Sequence, residues 1–85
     1  MKVIIPSQLL SYTGKSQVEA LGDTLDTALA DLDRQFPGLR FRIINEQEQI
    51  REHILIVINK EPVRELHTVL KPEDTIRIIG ALSGG

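Results

Sequence analysis

The chain has 85 residues, ten basic against twelve acidic side chains, a net charge of −2, 41% hydrophobic and 26% charged residues, and no cysteine. This is a globular balance for one domain, without the basic stripe that nucleic-acid binding needs and without a leader or an apolar run of membrane length, so a soluble, cytoplasmic protein is expected. The absent cysteines exclude disulfides, thiolate zinc sites, cysteine-held iron–sulfur clusters, and any persulfide or thioester on the chain's own side chains.

Lys2-Val3-Ile4-Ile5-Pro6 is a β-branched run stopped by proline, which predicts a short strand. Ser7 to Lys15 is a turn-rich connection in which Leu9, Leu10 and Tyr12 fold one helical turn onto the core edge. Ser16 to Leu21 alternates, with Val18 and Ala20 on one face, and returns antiparallel to the first strand. Asp23 or Thr24 then caps a helix whose Leu25, Ala28, Leu29 and Leu32 form one apolar stripe. Asp26, Asp31, Asp33 and Arg34 are assigned to its wet face, and Phe36-Pro37-Gly38 ends it. Leu39 to Ile44 is ambiguous, and Asn45 to Gln49 is a polar loop.

Ile54-Leu55-Ile56-Val57-Ile58 is apolar throughout, so both faces of this strand avoid water at least part of the time. Asn59 to Pro62 turns the chain, Val63 begins a short edge segment, Leu66 to Leu70 is a compact loop, and Thr75 to Ile79 reads as the last strand. One helix on a small mixed sheet gives an α+β, two-layer arrangement. Val3, Ile5, Val18, Leu25, Leu29, Leu32, Ile54, Ile56, Ile58, Ile76 and Ile78 are the expected core. Parity then sends Ile4, Leu55, Val57 and Ile79, beside Arg77, to the other side of the sheet. A single helix cannot cover both faces, so these residues form an exposed partner-binding patch unless Leu39–Ile44 folds over it.

The chain ends Leu82-Ser83-Gly84-Gly85, straight after the last strand. The four Cα steps from Ala81 to Gly85 span roughly 13–14 Å when extended. A flexible tail of that reach, 82–85, is slim enough to thread a partner's channel and present the terminal carboxylate. With no cysteine in the chain, that carboxylate is the only available handle for sulfur or acyl chemistry.

This order of elements, with Gly-Gly at the end, resembles the β-grasp sulfur carriers related to ubiquitin, including the thiamine-pathway carrier and the small subunit of molybdopterin synthase. The resemblance is carried by Pro6, Leu9, Thr13 and Gly14, by Asp23-Thr24-Leu25, by Phe36-Pro37-Gly38-Leu39, by Val57-Ile58-Asn59, and by Asp74, Ile76, Ile78 and Ala81 through Gly85. The Pro-x-x-Leu-x-x-x-Thr-Gly stretch is nearest in pattern to carriers serving cysteine, methionine or secondary-metabolite sulfur pathways. Gly80 and Lys60 depart from the family's frequent proline and glycine, which predicts a looser tail base and puts the tight positive-φ turn in question.

The resemblance implies a single β-grasp domain over residues 1–85 that acts as a co-substrate, not an enzyme. Gly85 is adenylated with ATP by an E1-like enzyme and becomes a thiocarboxylate, which donates sulfur to a synthase. Gly84 gives access, and Leu82 and Ser83 make channel contacts. The carrier itself binds no cofactor or metal. His53 and His67 are read as surface or turn residues because no two-histidine-plus-carboxylate spacing accompanies them. A ubiquitin-like modifier joined through Gly85 and a non-covalent β-grasp adaptor are the alternatives.

Overall fold

The computed structural model describes residues 1–80. Its first strand, β1 (Lys2–Ile4), gives way at Pro6 to a 3-10 turn over Ser7–Leu9 and a short helix, α1 (Leu10–Thr13). Strand β2 (Gln17–Glu19) returns antiparallel to β1, with Val3 opposite Val18. The main helix, α2 (Leu25–Gln35), begins at Thr24 with a reciprocal cap. Thr24 Oγ1 accepts the N–H of Thr27 at 3.2 Å, and Thr27 Oγ1 accepts the N–H of Thr24 at 2.9 Å. Threonine thus does here what glutamate usually does at the third helical position. The loop from Leu66 to Leu70 satisfies further N–H groups of this first turn. Leu25 donates to the Thr68 carbonyl at 3.0 Å and Asp26 to the Leu66 carbonyl at 2.8 Å.

The segment that was ambiguous in sequence is a second helix, α3 (Leu39–Ile43). Gly38, at φ 94°, supplies the left-handed corner between α2 and α3. Asp33 holds that corner, accepting the N–H groups of Gly38 and Arg40 at 3.1 Å each.

Strands β3 (Ile54–Ile58), β4 (Glu61–Val63) and β5 (Thr75–Gly80) complete a five-stranded sheet in the order β2-β1-β5-β3-β4. Among the described residues only β1 and β5 pair in parallel. β4 starts at Glu61, two residues before the expected edge segment, and carries Pro62 on the sheet margin where a missing N–H costs nothing. Lys60 does not spoil the preceding turn because Asn59, at φ 58°, takes the left-handed position. Asn59 Oδ1 accepts the N–H of Thr75 at 3.1 Å and its Nδ2 donates to Asp74 at 3.0 Å.

All the expected core residues are buried except Ile54, which is half-buried at the end of β3. The core also includes Met1, Leu9, Ala20, Ala28, Leu39, Ile43, Ile44, Ile50 and Leu70. Asp31 corrects the wet-face assignment: it is only 9% exposed, and its carboxylate accepts the N–H of Leu21 and the Gln35 amide, each at 3.0 Å. No helix among the described residues is long and apolar enough to cross a membrane.

Candidate functional site

Register across the sheet brings the patch residues together. Ile4 lies beside Arg77, Arg77 beside Val57, and Leu55 beside Ile79. Residues paired across a sheet share a face, and Val3, Ile56, Ile58, Ile76 and Ile78, on the opposite parity, are buried against the helices. The face that α2 leaves uncovered therefore holds Ile4, Leu55, Val57, Arg77 and Ile79. Leu55 is 40% and Ile79 is 38% exposed, Arg77 is exposed, and Ile4 and Val57 are half-buried.

The segment Leu39–Ile44 does not fold over this face. As α3 it packs beside α2, with Leu39, Ile43 and Ile44 buried in the core. The open face is graded along the strands. The end near β5's start carries Lys2 opposite both Glu19 and Thr75, whereas the end near Gly80 carries Leu55 and Ile79. Its apolar half thus adjoins the point from which the chain's end departs.

That point is Gly80, the last residue of β5, half-buried, with the side-chain amide of Gln8 donating to its carbonyl oxygen at 3.0 Å. Gln8, which sequence reasoning did not single out, belongs to the 3-10 turn. A cleft beside Gly80 is lined by Gln8, Phe41, Arg42, Arg51 and His53, among others. Arg51 lies over the Phe41 ring at 4.6 Å and donates to the Phe41 carbonyl at 2.8 Å, which fixes its guanidinium at the rim. Leu82, Ser83, Gly84 and Gly85 lie outside the described residues.

The charged groups elsewhere make structure. Arg40 donates to Asp26 at 2.9 Å and to Glu48 at 2.8 Å, tying α2, α3 and the polar loop together. Glu48 first, then Asp26, holds the Arg40 guanidinium still more firmly protonated than usual. His67 lines a separate cleft beside Asp26 and Glu48, so the two histidines are not brought together. Among the described residues no hydrogen bond pairs a nucleophile with a base.

A mixed five-stranded sheet grasping one main helix, with an open apolar face beside the last strand's end, defines a β-grasp, ubiquitin-like protein. The chain belongs to the ThiS family, whose model matches residues 3–85, and it is a sulfur carrier protein, a co-substrate and not a catalyst. It is 33% identical to the sulfur carrier protein CysO of Mycobacterium tuberculosis, over 98% of this chain and 96% of that protein. Among solved structures it resembles a chain of the Amycolatopsis orientalis BexX/CysO complex, with a TM-score of 0.91 and 32% identity over 99% of this chain and 98% of that one. It also resembles the small archaeal modifier protein 1 of Methanosarcina acetivorans, with a TM-score of 0.83 and 27% identity over 99% and 94% of the two chains.

Proposed function

We propose that the carrier works through the carboxylate of Gly85. A carboxylate oxygen attacks the α-phosphate of ATP on an E1-like enzyme, pyrophosphate leaves, and the acyl group becomes electrophilic. Hydrosulfide supplied by the partner attacks the acyl carbon and expels AMP, losing its proton and leaving a C-terminal thiocarboxylate for a sulfur-accepting synthase. Glycine at both terminal positions suits this route because, without a Cβ, nucleotide and backbone approach closely. ATP belongs to the activating partner, and the carrier binds no cofactor of its own.

The open face carries the docking. Ile4, Leu55, Val57, Arg77 and Ile79 adjoin the base of the reactive end, so a partner seated on them receives Leu82 to Gly85 at its active site. Activating enzyme and synthase use the same face in turn and cannot bind at once. The observation supporting this is the uncovered cross-strand pair of Leu55 on β3 and Ile79 on β5, the strand that leads to Gly80. The BexX/CysO complex adds support, since a relative of this chain is there captured with a partner protein. By the resemblance of its Pro6 to Gly14 stretch to carriers serving cysteine, methionine or secondary-metabolite sulfur pathways, the acceptor lies in a pathway of that kind.

The likeness to small archaeal modifier protein 1 favours one second reading, in which the activated Gly85 is joined to a lysine amine. Intact mass spectrometry of the chain from its native host separates the two. A free chain with sulfur in place of one terminal oxygen is expected for the carrier. Conjugates to other proteins without any thiocarboxylate would establish the modifier instead.

A further inference from the structure

Strand β5 continues past the strand beside it. β1 pairs with β5 only from Lys2 opposite Thr75 to Ile4 opposite Arg77. Beyond that, Pro6 has no N–H to give and the chain turns away into Ser7–Leu9. The Asn59 N–H bonds the Thr75 carbonyl at 2.8 Å, so Thr75 directs its backbone groups toward β3. By alternation Ile76, Ile78 and Gly80 direct theirs toward β1. At the level of Gly80 β1 is no longer there to receive them.

Gln8 stands in its place. Its Nε2 donates to the Gly80 carbonyl at 3.0 Å, across 72 positions of sequence. The backbone beneath it is fixed, with Leu9 only 4% exposed and the Leu9 N–H bonded to the Pro6 carbonyl at 3.0 Å. Its Oε1 accepts from Ser7 Oγ at 3.5 Å. Gly80 makes room for this arrangement: a Cβ there would lie 2.9–3.1 Å from the end of the Gln8 side chain.

We propose that Gln8 is a positioning residue for the carrier reaction, supplying the donor that β1 lacks and fixing the last peptide of β5, from which the reactive end departs. Its amide replaces one rung of the sheet ladder, and Gly80 is the small residue that lets it lie flat on the strand. A rigid base narrows the directions in which Gly85 is offered and lowers the ordering cost of binding. The inference rests on delivery of Gly85 to a partner, as proposed above.

The test compares Gln8→Ala, Gln8→Glu, Gly80→Ala and the Gln8→Ala/Gly80→Ala pair with the unaltered chain. ATP–pyrophosphate exchange by the cognate activating enzyme is followed against carrier concentration, and amide NMR spectra are recorded for residues 81–85. Gln8→Ala and the isosteric Gln8→Glu, which has no donor, should each raise KM about three- to tenfold with kcat unchanged and Tm lowered by no more than a few degrees. Gly80→Ala should do the same by pushing the Gln8 amide aside, and the pair should be no worse than either single change. In the spectra the Ala81 and Leu82 amides should shift together in all four variants.

Unchanged KM and unchanged Ala81 and Leu82 amides in Gln8→Ala would overturn the inference, as would effects that simply add in the pair. Failure of the unaltered chain to support exchange points instead to the delivery mechanism. The spectra then decide the role of Gln8 alone, and identical amides across the variants count against it.

Discussion

Replacing Leu55 by glutamate tests the docking face, and the structure sets the size of the effect. Leu55 keeps 40% of its surface exposed and faces Ile79, at 38%, in the neighbouring strand. Full burial of such a side chain is worth about 1.5–3 kcal/mol, so covering the exposed two-fifths contributes about 0.6–1.2 kcal/mol per residue. Leu55→Glu forfeits that share and adds about 1–3 kcal/mol for a polar group buried without a partner. The sum, about 1.5–4 kcal/mol, weakens binding between about tenfold and several hundredfold. The fold loses only a cross-strand pair at the surface, about 0.2–1 kcal/mol, so Tm should fall by a few degrees. Titration calorimetry with the activating enzyme and with the synthase reads both affinities. Val69→Glu is the control: Val69 is 77% exposed but lies in the loop bridged to Thr24, off the open face. A folded Leu55→Glu chain that binds both partners as well as Val69→Glu does would refute the docking assignment.

Deleting Gly85, or replacing Gly84 with tryptophan, should abolish ATP–pyrophosphate exchange with Tm unchanged, and persistence of exchange in either variant would move the chemistry elsewhere. Leu29 is fully buried in the core cluster, so Leu29→Ala should cost about 2–5 kcal/mol in denaturant unfolding. For a domain of this size that lowers Tm by about 8 °C or more, and a change of a degree or two would contradict the packing of α2.

Most of the fold was legible because its signals were local. The stripe Leu25, Ala28, Leu29 and Leu32 fixed the main helix, and Phe36-Pro37-Gly38 fixed its end. The unbroken apolar run of β3 announced two apolar faces, and parity alone placed Leu55 and Val57 on the open one. What escaped depends on distant partners. Leu39–Ile43 has two arginines in five residues and no cap of its own, and becomes helical because Gly38 turns it back onto α2 and Asp33 bonds across the corner. Asp31 looks solvent-directed from helix spacing, yet the chain just beyond β2 passes it and supplies the N–H of Leu21. Gln8 is a polar residue in a turn, and nothing near it in sequence reveals a strand end 72 positions away. Of the two positions that depart from the family pattern, Lys60 fails as a warning because Asn59 absorbs the positive φ that Lys60 would have resisted.

Asp31 also determines which surface of the sheet a partner can use. Ile5 bonds the Ser16 carbonyl and Ala20 bonds the Met1 carbonyl, so the even residues of the β2 segment face β1 and the odd ones face outward. An outward row of this kind is a template for adding a foreign strand. Here α2 closes part of it: Gln35 Nε2 donates to the Glu19 carbonyl at 2.9 Å, and Asp31 accepts the Leu21 N–H. Asp31 is braced in turn by Gln35 and by the Arg34 guanidinium. The Leu21 N–H is the main cause that holds the Asp31 carboxyl below its ordinary range; burial opposes it, and Arg34 and Gln35 assist. Asp74 is held down in the same direction, chiefly by the Asn59 amide and then by the Lys71 N–H. A depressed folded-state pKa gives stability that is complete above the unfolded value of about 3.9 and is lost as pH falls through the folded one. Tm should therefore be flat from neutral pH to about 5 and fall below about 4. Asp31→Ala leaves the Leu21 N–H without its partner and should cost about 1–3 kcal/mol at neutral pH. Its acid limb should be shallower, because one titrating contribution is gone. Sedimentation should also show concentration-dependent association of the variant through the opened edge. An Asp31→Ala chain with the parent's Tm, the parent's acid limb and no association would mean that the edge is closed by something other than this carboxylate.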